Sequence, residues 1–223
     1  MKKPIIQIII RSALIIIGIL GIIFSSVSSS GFNGVAFLYF TIQSNITIIG
    51  IEIVFLIDAI RQLLGKSTFI NQILLKIKYI FVVAITITFL VFTTLLAPTL
   101  TTSYLLSYNN LSLHIIVPIL ALTDFFIFDK DIEMKVSTAF LGTAMPVYYF
   151  VFFFIGTKVG FRYIGNAKAP YFFLEYDNLT WFKITEKGLG VFYWLMILFV
   201  GISVLCLILY LLIKLRQGGF KKK

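Results

Sequence analysis

Charge is scarce in this chain. Only 13% of its 223 residues are Asp, Glu, Lys or Arg, against about a quarter in an ordinary soluble domain. There is one cysteine, Cys206, inside an apolar run. Neither a disulfide framework nor a multi-cysteine metal site can be built from it. There is one histidine, His114, and a lone histidine among scattered acids makes no metal site. No P-loop, dinucleotide fingerprint or zinc signature is present, so no metal and no cofactor is expected. Segments of about ten residues with alternating polarity, which mark a membrane β-barrel, are also missing. So is an internal repeat, inverted or parallel, of the kind that marks many transporters.

What the chain does have is apolar sequence. It is 60% hydrophobic, with a mean hydropathy of +1.03. Lipid is the solvent this composition suits, and a spanning segment must satisfy its own backbone hydrogen bonds, so helices are expected. Continuous apolar runs predict six transmembrane helices near Ile5–Val27, Ala36–Ile60, Ile77–Ala97, Leu111–Phe128, Ser137–Thr157 and Leu189–Leu215. The fold class is therefore all-α, one polytopic domain over residues 1–223 of a multi-pass cell-membrane protein. Lys2 and Lys3, an apolar run and Ser25-Ser26-Val27-Ser28 also resemble a cleavable signal peptide. The run is long, contains Arg11 and is followed by five more spans, so a retained first helix is expected.

The net charge is +10. On a soluble protein this would suggest nucleic acid. Here the basic residues cluster between apolar runs, so no nucleic-acid partner is expected and the charge sets orientation. Fourteen of the nineteen Lys and Arg fall with the two chain ends and on the links between the second and third and the fourth and fifth spans. The other five, Lys158, Arg162, Lys168, Lys183 and Lys187, lie in one loop of the opposite side. This split predicts both termini inside. The outer loop, 158–188, is long for a connection and holds Tyr163, Tyr171, Phe172, Phe173, Tyr176, Trp181 and Phe182. Aromatics favour the membrane–water interface, and two readings stand, a lid and a plain interfacial anchor.

In such a chain the informative residues are polar ones at membrane depth, since a charged one costs roughly 2.5–3.5 kcal/mol at mid-helix. The second span opens with Tyr39-Phe40-Thr41-Ile42-Gln43-Ser44-Asn45. At 100° per residue Thr41, Asn45 and Glu52 share a face, which should point into the bundle. His114 lies in Leu113-His114-Ile115-Ile116-Val117-Pro118. Pro118 has no amide to bond the His114 carbonyl, so a kink beside the imidazole is expected. With both spans running inward, Thr41 and His114 sit at similar depth, a turn or so below the outer surface. If they touch, they form a minimal activated nucleophile, with Asn45, Ser44 and Gln43 as candidate oxyanion donors. The alternative is that these groups are interhelical packing contacts. Of the other intramembrane charges, Arg11 is expected to snorkel and Asp58 to pair with Arg61 three residues on. Glu52 and Asp124 lie deeper, and they can pair with Arg11, hold a cation or carry protons.

The Tyr39–Asn45 and Leu113–Pro118 segments, Asp124, and Pro170-Tyr171-Phe172-Phe173-Leu174 before the last helix together resemble a bacterial family of six-span membrane proteins of unassigned function. More distantly the layout is similar to the eukaryotic androgen-induced membrane protein family. These are intramembrane threonine hydrolases that cleave fatty acid esters of hydroxy fatty acids. That resemblance implies Thr41 as nucleophile and His114 as base. The chain departs from the distant pattern at Ser44, where a polar amide or acid is expected, with Asn45 one residue later. It also departs in a histidine-to-proline spacing one residue shorter.

The leading expectation is a lipid-ester hydrolase in the outer leaflet, acting on a membrane lipid or fatty-acyl ester. The rivals are a small transporter or ion-coupled carrier using Glu52, Asp58 and Asp124, and a non-catalytic membrane interaction protein. The sequence carries no signal of oligomeric state.

Overall fold

A computed structural model describes residues 2–28, 31–186 and 188–218. Six helices in it are long and apolar enough to cross a membrane: α1 (Lys3–Ser26), α2 (Phe40–Leu63), α3 (Gln72–Thr99), α4 (Tyr108–Phe128), α5 (Val136–Lys158) and α6 (Val191–Arg216). Each coincides with one expected apolar run. The largest change of boundary is at α3. The Asn71 side chain accepts hydrogen bonds from the amides of Ile73 and Leu74. This caps the helix and starts it five residues before the apolar run. Lys76 is thus a helical residue rather than a link residue, and Lys78 lies well inside the helix rather than at its edge.

An even number of crossings returns the chain to the end where it began. This end, called here the near face, carries the α2–α3 and α4–α5 links and the last turn of α6. Gln72 Nε2 donates to the Asp131 carbonyl at 2.8 Å. Gln217 Nε2 donates to the carbonyls of Lys130 and Ile132, each at 2.7 Å. At the opposite, far face, β1 (Val27–Ser28) and β2 (Gly31–Phe32) pair antiparallel, Val27 opposite Phe32. The long α5–α6 loop ends in a second small hairpin, β3 (Ile184–Thr185) with β4 (Gly188–Leu189). Ser29 and Ser30 of the serine patch, Lys187 of the loop and Lys221–Lys223 of the basic tail lie outside the described residues.

The bundle is inverted relative to a soluble protein. Ile9, Ile16 and Phe24 of α1, Ile53 and Ile57 of α2, and Phe199, Val200 and Val204 of α6 are exposed. A lipid-facing surface has that composition. Apolar Leu14, Ile48, Phe55, Val82 and Phe125 fill the centre, together with Arg11, Glu52, Lys78 and Asp124, which are all buried. Lipid tails are as apolar as leucine, so helices here are held by close packing and polar contacts. The close packing is visible at Gly18 and Gly21 of α1. A Cβ at Gly18 would strike the Ile49 side chain, and one at Gly21 would strike Ser112 and Leu113.

Candidate functional site

The polar interior divides into two clusters at different depths. The first is at the far end of α2. Thr41 is the second residue of this helix, and its hydroxyl lies 3.2 Å from Nε2 of His114 on α4. The other ring nitrogen, Nδ1, lies 3.2 Å from the Asn110 carbonyl oxygen. A carbonyl can only accept, so Nδ1 carries the proton and Nε2 presents a lone pair to the threonine hydroxyl. The imidazole also stacks on Phe92 of α3, with ring centroids 4.0 Å apart.

Two irregular turns set this geometry. Ser112–Ile116 of α4 and Phe92–Leu96 of α3 are both π-helical, and these segments hold His114 and its stacking partner. Such single-turn widenings concentrate at functional sites. Next to Pro118, where a kink was expected, the structure has this widened turn. The Val117 amide bonds to the Ser112 carbonyl five residues back, and Pro118 follows in the first turn of the resumed α-helix.

The three amide and hydroxyl candidates for an oxyanion hole are otherwise engaged. Asn45 Nδ2 donates to the carbonyls of Thr41, at 2.8 Å, and Leu113, at 3.2 Å. The Ser44 hydroxyl contacts the Thr41 carbonyl at 3.1 Å and the Thr88 hydroxyl at 2.7 Å. Gln43 Nε2 donates to the Phe37 carbonyl at 3.1 Å. All three point at backbone or at a neighbouring helix, and they tie α2 to α3, to α4 and to the segment before it. The packing alternative therefore describes them better than the oxyanion role.

The other donors at this place belong to the helix end and to the far loop, and they meet each other. Tyr39, the N-cap residue of α2, makes no side-chain cap, and the first amides of a helix have no partner inside it. The Tyr171 phenol oxygen lies beside the amides of Phe40 and Thr41 and the Thr41 side chain. Burial pushes the Tyr171 phenol up to about 12, so at neutral pH it keeps its proton. Next to it Tyr149 donates to the Leu38 carbonyl at 3.0 Å. The Tyr39 ring meets the rings of Tyr163 and Tyr171 edge-on at 5.4 and 6.0 Å. The loop thus packs down over the start of α2.

Beneath the loop is a cavity of about 370 Å³ between α3, α5 and α6. Thr41 is part of its wall, and Phe40, Phe92, Tyr149, Tyr171 and Phe199 are among the others. The lining is overwhelmingly apolar, and Thr41 is one of its few polar residues.

The second cluster lies nearer the near face. Glu52 is eleven residues beyond Thr41 on α2, about 16 Å at 1.5 Å per residue. Arg11 is 2% exposed and does not snorkel. Its Nε donates to Asp124 Oδ1 at 3.0 Å and its Nη1 to the Phe55 carbonyl at 2.7 Å. Lys78 is wholly buried. Its ammonium lies 2.9 Å from Glu52 Oε1 and 2.8 Å from Asp129 Oδ2, and it donates to Asp124 Oδ2. It also stands 4.3 Å from the Phe55 ring centroid. Of the three roles open to Glu52 and Asp124, pairing is the one observed, with Lys78 as a second partner besides Arg11. Asp58 does not pair with Arg61. It accepts from Gln62 Nε2 at 2.6 Å, Thr68 Oγ1 at 2.9 Å and the Phe69 amide at 2.9 Å, holding the α2–α3 link, while Arg61 lies over the Phe69 ring.

Lys78 and Asp129 were thus missing from the sequence picture, and Tyr171 was visible only as one loop aromatic among several. The cap residue Asn71 was the signal for Lys78, because it places the lysine nearly two turns into α3. Comparison with protein-family models, with curated proteins and with solved structures finds no match.

Proposed function

We propose that the chain is an intramembrane lipid-ester hydrolase of the cell membrane, with Thr41 as nucleophile and His114 as base. The single observation behind this reading is the Thr41–His114 hydrogen bond at a residue, Thr41, that lines an apolar cavity. The Asn110 carbonyl fixes the tautomer that accepts the hydroxyl proton. The resemblance of the motifs around Thr41 and His114 to known threonine hydrolases supports the same roles.

In this mechanism Thr41 Oγ1 attacks the ester carbonyl carbon as its proton passes to His114 Nε2. The carbonyl oxygen becomes negative at the start of α2, where a helix N-terminus favours an anion and where it displaces the Tyr171 oxygen from the Phe40 and Thr41 amides while the Tyr171 hydroxyl stands beside it. The tetrahedral intermediate collapses, the C–O bond to the alcohol breaks, and the leaving alkoxide takes the proton from His114. Water then attacks the acyl-threonine with His114 again as base, which releases the fatty acid and restores the hydroxyl. The near face is read as cytoplasmic, because most of the basic residues lie there even after the buried Arg11 and Lys78 are set aside. The site then belongs to the outer leaflet, where water can reach it.

The carrier reading loses its main support in the ion pairs of Glu52 and Asp124 with Arg11 and Lys78. Acids neutralised by internal cations are poorly placed to bind a transported one. The test is hydrolysis of a fluorogenic long-chain acyl ester by the purified chain. Wild type should turn over, Thr41→Ala should not, and His114→Ala should lose about 10²–10⁴-fold, the range for a positioned acid–base group. Equal turnover in all three would refute the assignment.

A further inference from the structure

The near face carries a hollow that the proposed hydrolase does not use. Its volume is about 820 Å³. Lys76 of α3, Lys130 and Lys135 of the α4–α5 link, and Lys214 and Arg216 of α6 line it, with Asp131 and Glu133. Five cations against two carboxylates leave a formal charge of +3. Among the described residues none of the five cations lies within ion-pair distance of a carboxylate. The excess positive charge therefore faces the hollow uncompensated.

The walls are built rather than incidental. Gln72 of α3 holds the link from one side, donating to the Asp131 carbonyl and accepting from the Glu133 amide, both at 2.8 Å. Gln217 holds it from the other side through the carbonyls of Lys130 and Ile132. Arg216 Nη2 donates to the Ile127 carbonyl at 2.6 Å. These bonds fix the end of α6 against the link and keep the cations around one concavity.

Position identifies the occupant. The hollow sits where helices end, level with lipid headgroups. In sequence, exposed Leu215 of α6 stands between its lining residues Lys214 and Arg216, exposed Val136 of α5 follows Lys135, and Leu211 and Leu212 are exposed one turn further along α6. A ligand with an anionic phosphate at one end and hydrocarbon at the other matches both halves. Basic pockets between transmembrane helices bind such headgroups. We infer that this hollow is a binding site for an anionic glycerophospholipid, its phosphate among the five cations and its chains along α6. The inference is independent of the Thr41–His114 reading.

The test uses the full-length chain in detergent and native mass spectrometry of retained lipid. Phosphatidylglycerol and phosphatidylcholine with identical chains are supplied in competition. Each basic residue beside an anionic surface contributes about fivefold in affinity, so phosphatidylglycerol should win by about tenfold or more. Lys130→Gln/Lys135→Gln should remove most of that preference. Both side chains are exposed, so folding should survive, and burial of Cys206 checks it in each variant. Lys3→Gln/Lys66→Gln removes two exposed near-face charges outside the hollow and should leave the preference intact. Equal retention of the two lipids would overturn the inference. So would an equal loss in both double variants, which would indicate a diffuse field instead of a site. Displacement of the lipid by inorganic phosphate at matched concentration would also overturn it, because the ligand would then be a soluble anion.

Discussion

Replacing Lys78 by methionine should cost this protein far more than removing a neutral hydrogen bond between its helices. The ammonium touches Glu52, Asp124 and Asp129 together. Methionine fills nearly the same volume, so little cavity cost is added. What remains is three buried carboxylates around the single guanidinium of Arg11. Removing one partner of a buried charge pair costs about 3–5 kcal/mol, whereas a neutral side-chain hydrogen bond between transmembrane helices averages about 0.6 kcal/mol. For a chain of this length each kcal/mol moves Tm by roughly 2–4 °C, so Lys78→Met should lower it by about 6–20 °C. The assay is built into the sequence: Cys206 is the only cysteine and is fully buried. A thiol-reactive dye therefore reports unfolding in detergent as the temperature rises. Lys78→Met/Glu52→Gln removes one cation and one anion together. It should be less destabilised than the sum of its two single variants, by about 1 kcal/mol or more. A Tm for Lys78→Met within about 1 °C of wild type, or strict additivity in the double variant, would refute the reasoning.

Two further outcomes follow from the far loop. Tyr171→Phe should lower ester turnover by about 10²–10³-fold, the usual loss for one oxyanion donor, while leaving substrate binding in the apolar cavity intact; an unchanged kcat would remove Tyr171 from the mechanism. The loop should also be sensitive to alkali. Burial raises Tyr163 and Tyr171 from 10.0 to about 12, so between these values the folded loop binds protons that the opened loop has lost. Their contribution is complete below pH 10 and disappears as pH rises through 12. Fluorescence of Trp181 and Trp194 should therefore stay constant to about pH 10 and change above it, and a transition at neutral pH would contradict the buried packing of the two phenols.

The six helices were legible because a spanning segment must be apolar along its whole length, and six such runs stand out without any tertiary information. The shared face of Thr41, Asn45 and Glu52 was legible for the same local reason, since 100° per residue is a property of one helix. The matching depth of Thr41 and His114 needed only the direction of each span. Contact between them did not follow from depth, because 73 residues separate them and a helix rotation would part them. The fate of Arg11 was left open by the same non-locality. Snorkelling is what an isolated helix does, pairing with Glu52 or Asp124 was the other option, and Asp124 is 113 residues away. Lys78 was obscured by the edge of the apolar run, which began at Ile77, while the helix begins at its Asn71 cap. The contacts of the amide candidates were hidden because a list of polar residues does not say which donors the backbone already occupies. Asn45 gives both of its amide hydrogens to carbonyls and Gln43 gives one. Tyr171 could not be separated from the other loop aromatics until the loop was seen folded over the start of α2.

The central claim is that the Thr41 hydroxyl is the nucleophile, and the most direct measurement is covalent. The purified chain is treated with a lipophilic fluorophosphonate, and the adduct is located by peptide mass spectrometry in wild type, Thr41→Ala and His114→Ala, with Cys206 protection confirming the fold of each. The account predicts an adduct on Thr41 in wild type, none in Thr41→Ala, and labelling slowed about 10²-fold or more without the histidine base. Well-folded wild type that takes no label, or a label on a different hydroxyl, would contradict it.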